Sequence, residues 1–328
     1  VDGKDETAGV HATEQRAGGL TCMAHSSVAA LPFLVHFGAV MPPEHGAAVL
    51  DVRLPVLSGD SDECLFPPGE PAGRSGAFAL HQAGDWLLGG ASTPVSDGGM
   101  EAATRALYAD LLTAVRGRHL CRVWNYVPQI NAHVGALENY RAFCRGRARA
   151  LDAEFGVGQF SRLCAASAVG THDGRLSLVF AASTSVPQHF ENPAQVAAYR
   201  YPSEHGPRAP SFARATATAD RRSVFISGTA AVTGHTTVGP GDTRAQVECT
   251  LGNLALISRA AGLGADLGAG APWTRHFKIY LRHAEDFSAV AGRLQDTLLR
   301  EGDHVVWLHA DICRAALNVE IEATLLAT

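Results

Sequence analysis

The chain lacks the usual marks of cofactor-dependent chemistry. Its 15 histidines form no H-E-x-x-H, and no His/Cys/carboxylate group stands at local metal-ligand spacing. There is no G-x-x-x-x-G-K-S/T loop and no G-x-S-x-G elbow. Gly262–Gly270 is Gly-rich, but it lacks dinucleotide spacing and follows a helix pattern instead of a strand. Whatever chemistry occurs is therefore expected to use side chains alone, with no metal and no organic cofactor. No apolar run approaches the ~18 residues of a membrane span. No clustered basic excess accompanies the 27 Lys+Arg and 32 Asp+Glu, a net charge of −5, so a nucleic-acid surface is not expected. The seven cysteines are dispersed without C-x-x-C spacing, which fits reduced thiols better than a disulfide framework. With no basic-then-apolar leader pattern, the expected compartment is the cytoplasm. Hydrophobic residues at 46% and charged residues at 18% describe a globular chain,. Its 328 residues suit two ordinary domains or one large one.

What is present is an internal echo. Ser223–Ala231 reads as a strand entering a Gly bend, and Thr243–Ala261 carries Val247, Leu251, Leu254 and Ile257 at helical spacing,. His276–Arg282 reads as a strand and Glu285–Arg300 as a helix; strands His304–Arg314 and Leu317–Leu326 close the chain as a hairpin. The first half repeats this order: strand Asp85–Thr93, helix Glu101–Val115, strand Arg122–Ile130, helix Leu137–Phe155, and the strand pair Ser161–Gly170 and Leu176–Ala182. Equivalent elements lie roughly 140–155 residues apart, which predicts a duplicated β-α-β-α-β-β unit in an α/β (α+β) fold. The expected division is an N-terminal half over 1–215 and a C-terminal half over 216–328. The N-terminal half includes a Pro/Ser/Arg-containing connector over 183–219 and a loop-rich start with short apolar runs at Leu31–Val40 and Ala47–Leu54.

Several residues could carry chemistry. In Asn318–Ala323, alternation puts Val319, Ile321 and Ala323 on one strand face, Glu320 and Glu322 on the other,. The glutamates are either two solvated carboxylates or, if the other half encloses that face, a site. A turn near Ala315-Ala316 would place Cys313 on the face of Glu320 as a diagonal neighbour; otherwise Cys313 is a small buried hydrophobe. In the helix Leu137–Phe155, Arg147 falls within the apolar stripe of Tyr140, Cys144 and Leu151, and Arg141 borders it. A guanidinium on a buried face needs an anion, either an internal carboxylate or a substrate carboxylate. Tyr199-Arg200-Tyr201-Pro202 and Gly206-Pro207-Arg208 could form a substrate wall,. Lys278 and Arg282 share a strand face with Tyr280, as part of a site or as a solvated edge.

Two sets of motifs resemble known families. Phe225-Ile226-Ser227-Gly228-Thr229-Ala230, then Lys278-Ile279-Tyr280-Leu281, then Val319-Glu320-Ile321-Glu322-Ala323, is similar to the YjgF/RidA family over residues 220–328. The block Trp124–Asn131, Leu137–Arg147, Tyr201-Pro202 and Pro210–Ala215 resembles the chorismatases of the FkbO and RapK kind, over most of the chain from residue 85. That resemblance implies two YjgF/RidA-like halves with a site in the cleft between them. It also implies loss of the enolpyruvyl group of chorismate as pyruvate, without metal or cofactor. The family acid is a glutamate of the last strand, which matches Glu320. Chorismate is a dianion, so cationic anchors are expected; the candidates are Arg147 and Arg141, with Arg282 and Tyr201. The family divides by product into a hydrolytic branch giving a dihydroxycyclohexadiene carboxylate and a branch giving 3-hydroxybenzoate. In the second branch a cysteine stands seven residues before the acid, the place of Cys313 here, and Gly228 belongs with that branch too. The expected function is a 3-hydroxybenzoate-forming chorismatase serving specialised metabolism, as a monomer or a homo-oligomer such as the trimer of YjgF relatives. The alternatives are the hydrolytic branch, or a YjgF-like carboxylate-binding protein or imine deaminase.

Overall fold

The computed structural model describes residues 30–38, 48–270 and 272–328. Cys22, the end of the Leu31–Val40 run and Ala47 lie outside them. The described chain begins with short strands, β1 Phe33–Phe37, β2 Ala48–Val52, β3 Val56–Ser58 and β4 Asp62–Glu63, followed by β5 Glu70–Ser75 and β6 Phe78–Ala83. The first repeat comprises β7 Trp86–Pro94, α1 Met100–Ala114, β8 His119–Pro128, the short pair β9 His133–Val134 and β10 Leu137–Glu138, α2 Asn139–Phe155, β11 Ala165–Thr171 and β12 Arg175–Ser183. The connector holds β13 Gln188–Phe190 and β14 Ala215–Ala217. The second repeat comprises β15 Ser223–Ala230, the pair β16 Val232–Thr233 and β17 Thr236–Thr237, α3 Thr243–Ala260, β18 Trp273–Leu281, α4 Phe287–Thr297, β19 His304–His309, β20 Asp311–Ile312 and β21 Val319–Ala327.

The duplicated β-α-β-α-β-β order is present, and both copies have the same sheet logic. One seven-stranded sheet runs β20-β11-β8-β12-β7-β6-β5, the other β13-β14-β15-β21-β18-β19-β3. In each, the last strand of the repeat inserts antiparallel between its first and second strands: β12 between β7 and β8, β21 between β15 and β18. The third strand pairs parallel with the second, β11 with β8 and β19 with β18. The two expected hairpins are therefore absent. Burial explains the insertion: Leu176, Leu178 and Phe180 of β12 pack toward α1 and α2 while Val179 and Ala181 pack on the opposite face. A strand apolar on both faces belongs in the middle of a sheet.

Each sheet buries its outer face under its own helix pair. Leu107, Leu111 and Phe143 fill the first layer; Val247, Leu254, Leu294 and Ile321 fill the second. Gly146 lets α2 approach α1, because a Cβ there would strike the Glu101 carbonyl,. A third core, with Phe37, Trp124, Val179, Phe225 and Leu308, lies between the two sheets. Sheet membership does not follow one cut at 215. Strands β3 and β13 from the first part complete the second sheet, β14 straddles the line, and β20 crosses back to the first sheet by pairing with β11. No helix of the described residues is long and apolar enough to cross a membrane.

Candidate active site

Strand β21 places its two glutamates as alternation requires. Val319, Ile321 and Ala323 join the core under α3 and α4. Glu320 and Glu322 point the other way, where the first half covers them, and they are only 3% and 2% exposed. Their surroundings differ sharply. Glu322 receives Arg122 Nη2 at 2.8 Å, Trp124 Nε1 at 2.7 Å and Lys278 Nζ at 3.1 Å. Burial alone would push its pKa up, but Lys278 and Arg122 outweigh that and hold it below the ordinary value,. Glu320 has no ion pair within 4.0 Å among the described residues and opens onto a cavity of about 470 Å³. Burial first, and then the charge of Glu322, push its carboxyl up to about 8. Two carboxylates two residues apart are thus driven in opposite directions, one fixed as an anion and one kept as an acid near neutral pH.

The seam between the halves shapes the cavity floor. Ser227 and Gly228 form a bulge where the β15–β21 register shifts between Ile226 and Thr229,. The Gly228 N–H donates to Ser167 Oγ at 2.9 Å, and Ala166 N–H donates to Ser227 Oγ at 2.9 Å. A Cβ on Gly228 would overlap Glu320 Oε1. Cys313, just beyond β20, lines the same cavity. Burial and the neighbouring Glu320 push its thiol up to about 12, so it remains protonated. Two buried guanidiniums line the same cavity as the acid. Arg147 of α2 is 3% exposed and stands over the rings of Phe143 and Tyr108 at 5.5 and 5.8 Å. Arg214 donates to the Tyr201 hydroxyl at 2.7 Å and stands over Phe212 at 5.0 Å. Neither has a carboxylate within 4.0 Å among the described residues, and the Nε of each is buried without a hydrogen-bond partner. A buried cation without an anion is costly, so this wall is built to receive one. An enclosed acid in one cavity with two guanidiniums that lack a carboxylate partner can protonate a small anionic molecule bound there.

Comparison with known proteins places the chain in a family. The family model for chorismatases of the FkbO/Hyg5-like type, N-terminal part, matches residues 68–182. A chorismatase of Streptomyces rapamycinicus is 40% identical over 264 residues, covering 76% of this chain and 78% of the relative. The chain belongs to the chorismatase family. A protein of Streptomyces hygroscopicus named 3-hydroxybenzoate synthase is 36% identical, with 77% of each chain covered. A chorismatase crystal structure superposes with a TM-score of 0.76 at 31% identity, over 93% of this chain and 96% of that one.

In this chorismatase-family chain the structure brings Glu320, Cys313, Gly228, Arg147, Arg141 and Tyr201 to one cavity. Arg141 is at its rim, half exposed and 3.5 Å from Glu138. Arg282 is not part of it. Its guanidinium pairs with Asp311 and donates to the carbonyls of Leu317 at 2.7 Å, Ile312 at 3.1 Å and Arg314 at 3.1 Å. It clamps the chain segment that crosses from β20 back to β21 and does not line the cavity. Lys278 is likewise internal, held by Glu63 at 2.6 Å and by Glu322. Arg208 pairs with Asp152 at 2.6 Å instead of forming a wall. The Trp124–Asn131 block is structural as well, its Asn125 bridging Tyr108 and the Ser167 carbonyl.

Sequence reasoning missed Arg214 and Arg314 as lining residues. Both lie in irregular segments where no periodicity marks a buried face; the one signal was that Arg214 sits inside the Pro210–Ala215 motif. Arg314 Nη1 donates to the His235 carbonyl at 2.8 Å, and its guanidinium lies 5.3 Å from the Tyr201 ring centre. Also missed was Glu204, His205 and His235, a group at the cavity rim whose donors converge. Thirty residues separate the two histidines, so no local motif betrays them.

Proposed function

We propose that the chain converts chorismate to 3-hydroxybenzoate and pyruvate, with Glu320 as general acid. The observation that carries this reading is a carboxyl group held up to about 8 that shares a cavity of about 470 Å³ with two buried guanidiniums, Arg147 and Arg214, that have no carboxylate partner. That volume suits a small dianion. Arg147 and Arg214 with Tyr201 hold its carboxylates, and Arg141 attracts it at the rim. Glu320 gives its proton to the terminal methylene carbon of the vinyl ether, which becomes an oxocarbenium ion. The neighbouring ring hydroxyl then attacks the carbon that bears the ether; the ether carbon–oxygen bond breaks, pyruvate leaves, and the hydroxyl proton returns to the acid, giving a ring epoxide. The hydroxyl oxygen's original carbon–oxygen bond then opens, and a proton lost from ring carbon and one gained by oxygen complete the aromatic ring. The two products together contain the atoms of chorismate, so no water is consumed.

Cys313 and Gly228 favour this product over the diol of the hydrolytic branch. The thiol, protonated at working pH, is a compact neighbour of the acid and no nucleophile. Gly228 leaves room for Glu320 beside the bulge. The six unpaired cysteines among the described residues suit the cytoplasm. The test is incubation with chorismate and separation of products by liquid chromatography with mass detection. Pyruvate with 3-hydroxybenzoate is expected. Cys313→Ala should divert product toward the diol; an unchanged product ratio would remove Cys313 from the argument. Intact chorismate would favour a carboxylate-binding protein instead.

A further inference from the structure

Three donors from two separate segments meet at the rim of the cavity. Glu204 and His205 lie in the short helical turn Ser203–His205, which follows Pro202. His235 caps the turn between β16 and β17, beside Gly234, whose φ of 59° needs a glycine. His205 Nε2 is 3.0 Å from His235 Nδ1; Glu204 Oε1 is 3.4 Å from the first and 3.3 Å from the second. The three atoms form a nearly equilateral triangle. A tetrahedral ion with ligands at about 2.0–2.1 Å has ligand–ligand edges of about 3.3–3.4 Å, which the two edges to Glu204 match and the ring–ring edge of 3.0 Å approaches. A hydrogen bond between the rings joins only the two nitrogens and leaves the carboxylate oxygen a spectator at longer range; an ion engages all three. Glu204 is largely exposed and both rings are partly so, which gives an ion a route in.

We propose that Glu204, His205 and His235 form a binding site for a divalent transition-metal ion of the zinc class at the rim of the cavity, and that its occupancy lowers turnover. Two nitrogens and one oxygen suit such an ion and not magnesium, which prefers oxygen ligands. The ion ties the 203–205 turn to the β16–β17 pair, and both segments line the cavity through Glu204, His205, Thr236 and Thr237. It also fixes His205 and His235 against Tyr201, whose ring lies 5.2 and 6.4 Å from theirs. Substrate and product would then pass a stapled rim. The effect on turnover rests on reading this cavity as the active site, whereas the binding does not.

The test uses chelator-treated full-length protein titrated with Zn²⁺ by calorimetry and with Co²⁺ by visible absorption. One equivalent of zinc should bind, with a tetrahedral Co²⁺ spectrum and no uptake of Mg²⁺. Binding should disappear in His235→Ala and weaken about tenfold or more in Glu204→Gln; the latter side chain is exposed, so its variant keeps the fold. Cys64→Ser should bind as the parent does. Failure to bind, or binding that survives His235→Ala and is lost in Cys64→Ser, overturns the site. Turnover of chorismate should fall with one equivalent of zinc, recover with chelator, and be insensitive to zinc in any residual activity of His235→Ala. Binding with unchanged turnover overturns the regulatory half. Zinc binding by a protein that leaves chorismate intact keeps the site and refutes the functional reading.

Discussion

Replacing Glu320 by Gln should separate two consequences of one buried carboxyl. The group is 3% exposed, and its pKa rises from 4.5 to about 8 on folding. At about 1.4 kcal/mol per pH unit, that rise amounts to roughly 5 kcal/mol, an upper figure for a site coupled to Glu322. The sign follows from proton binding. Between 4.5 and about 8 the unfolded chain has lost this proton and the folded one retains it, so stability declines as pH rises through that window. Below the window the contribution is intact; above it the loss is complete. Gln is nearly isosteric with the protonated acid and does not titrate. Chemical denaturation should therefore give Glu320→Gln and parent the same stability near pH 4.5, with the variant gaining progressively to several kcal/mol by pH 9. Over the same range chorismate turnover in the variant should be lower by about 10²–10⁴-fold, while the parent rate should fall above pH 8 as the acid ionises. A stability difference independent of pH would refute the burial argument. Parental turnover in the variant would refute the acid assignment.

Other substitutions probe the surroundings of the acid. Arg147→Lys should keep the fold but raise KM for chorismate about 10–100-fold, because an ammonium cannot reproduce the planar fork of a guanidinium; an unchanged KM would place the carboxylate elsewhere. Gly228→Ala should push Glu320 aside and shift product from 3-hydroxybenzoate toward the diol, read by chromatography; an unaltered ratio would show that the bulge has slack. Lys278→Met leaves Glu63 and Glu322 without their shared cation and should destabilise the protein by about 3–5 kcal/mol. Its alkaline rate limb should move to lower pH, since Glu322 loses its largest charge partner, ionises less readily and repels charge on Glu320 less; a limb that stays in place would mean that Arg122 alone keeps Glu322 an anion.

Much of the site could be read before the fold. Strand alternation put Glu320 and Glu322 on one face, and helical spacing put Arg147 inside an apolar stripe; both are local periodicities, and both survive folding. The choice between solvated and enclosed glutamates could not be made from spacing, because the enclosure comes from Arg122, Trp124 and Ser167 in the other half. The two hairpins failed for a related reason. Adjacent strands in sequence are the default partners, yet β12 and β21 each find better burial between two earlier strands. Arg282 was misplaced because its partners are mostly main-chain carbonyls of residues 312, 314 and 317, which no side-chain pattern reveals. Arg214 stayed hidden in a segment without periodicity.

The duplication explains why one chain carries one such acid. Glu320 of β21 lies opposite Tyr280 of β18. The matching position of the first repeat is Ser177 of β12, opposite Tyr126 of β8. Ser177 spends its hydroxyl on Ser92 at 2.9 Å, and no carboxylate stands there. The space differs as well. The cavity lies between β11 of the first half and β15 and β21 of the second. In the related gap, between β19 and β7, β3 pairs with β19 and the β2-β1-β4 sheet sits against β7, where a Cβ on Gly90 would touch Leu50 and Phe33 at 3.3–3.4 Å. Glu63 of β4 fastens that sheet by its bond to Lys278, the same ammonium that holds Glu322 as an anion. The segment that fills one gap thus shares a cation with the carboxylate that adds to burial in keeping Glu320 protonated in the other, so loosening β4 should be felt in the pH dependence of a cavity it does not touch.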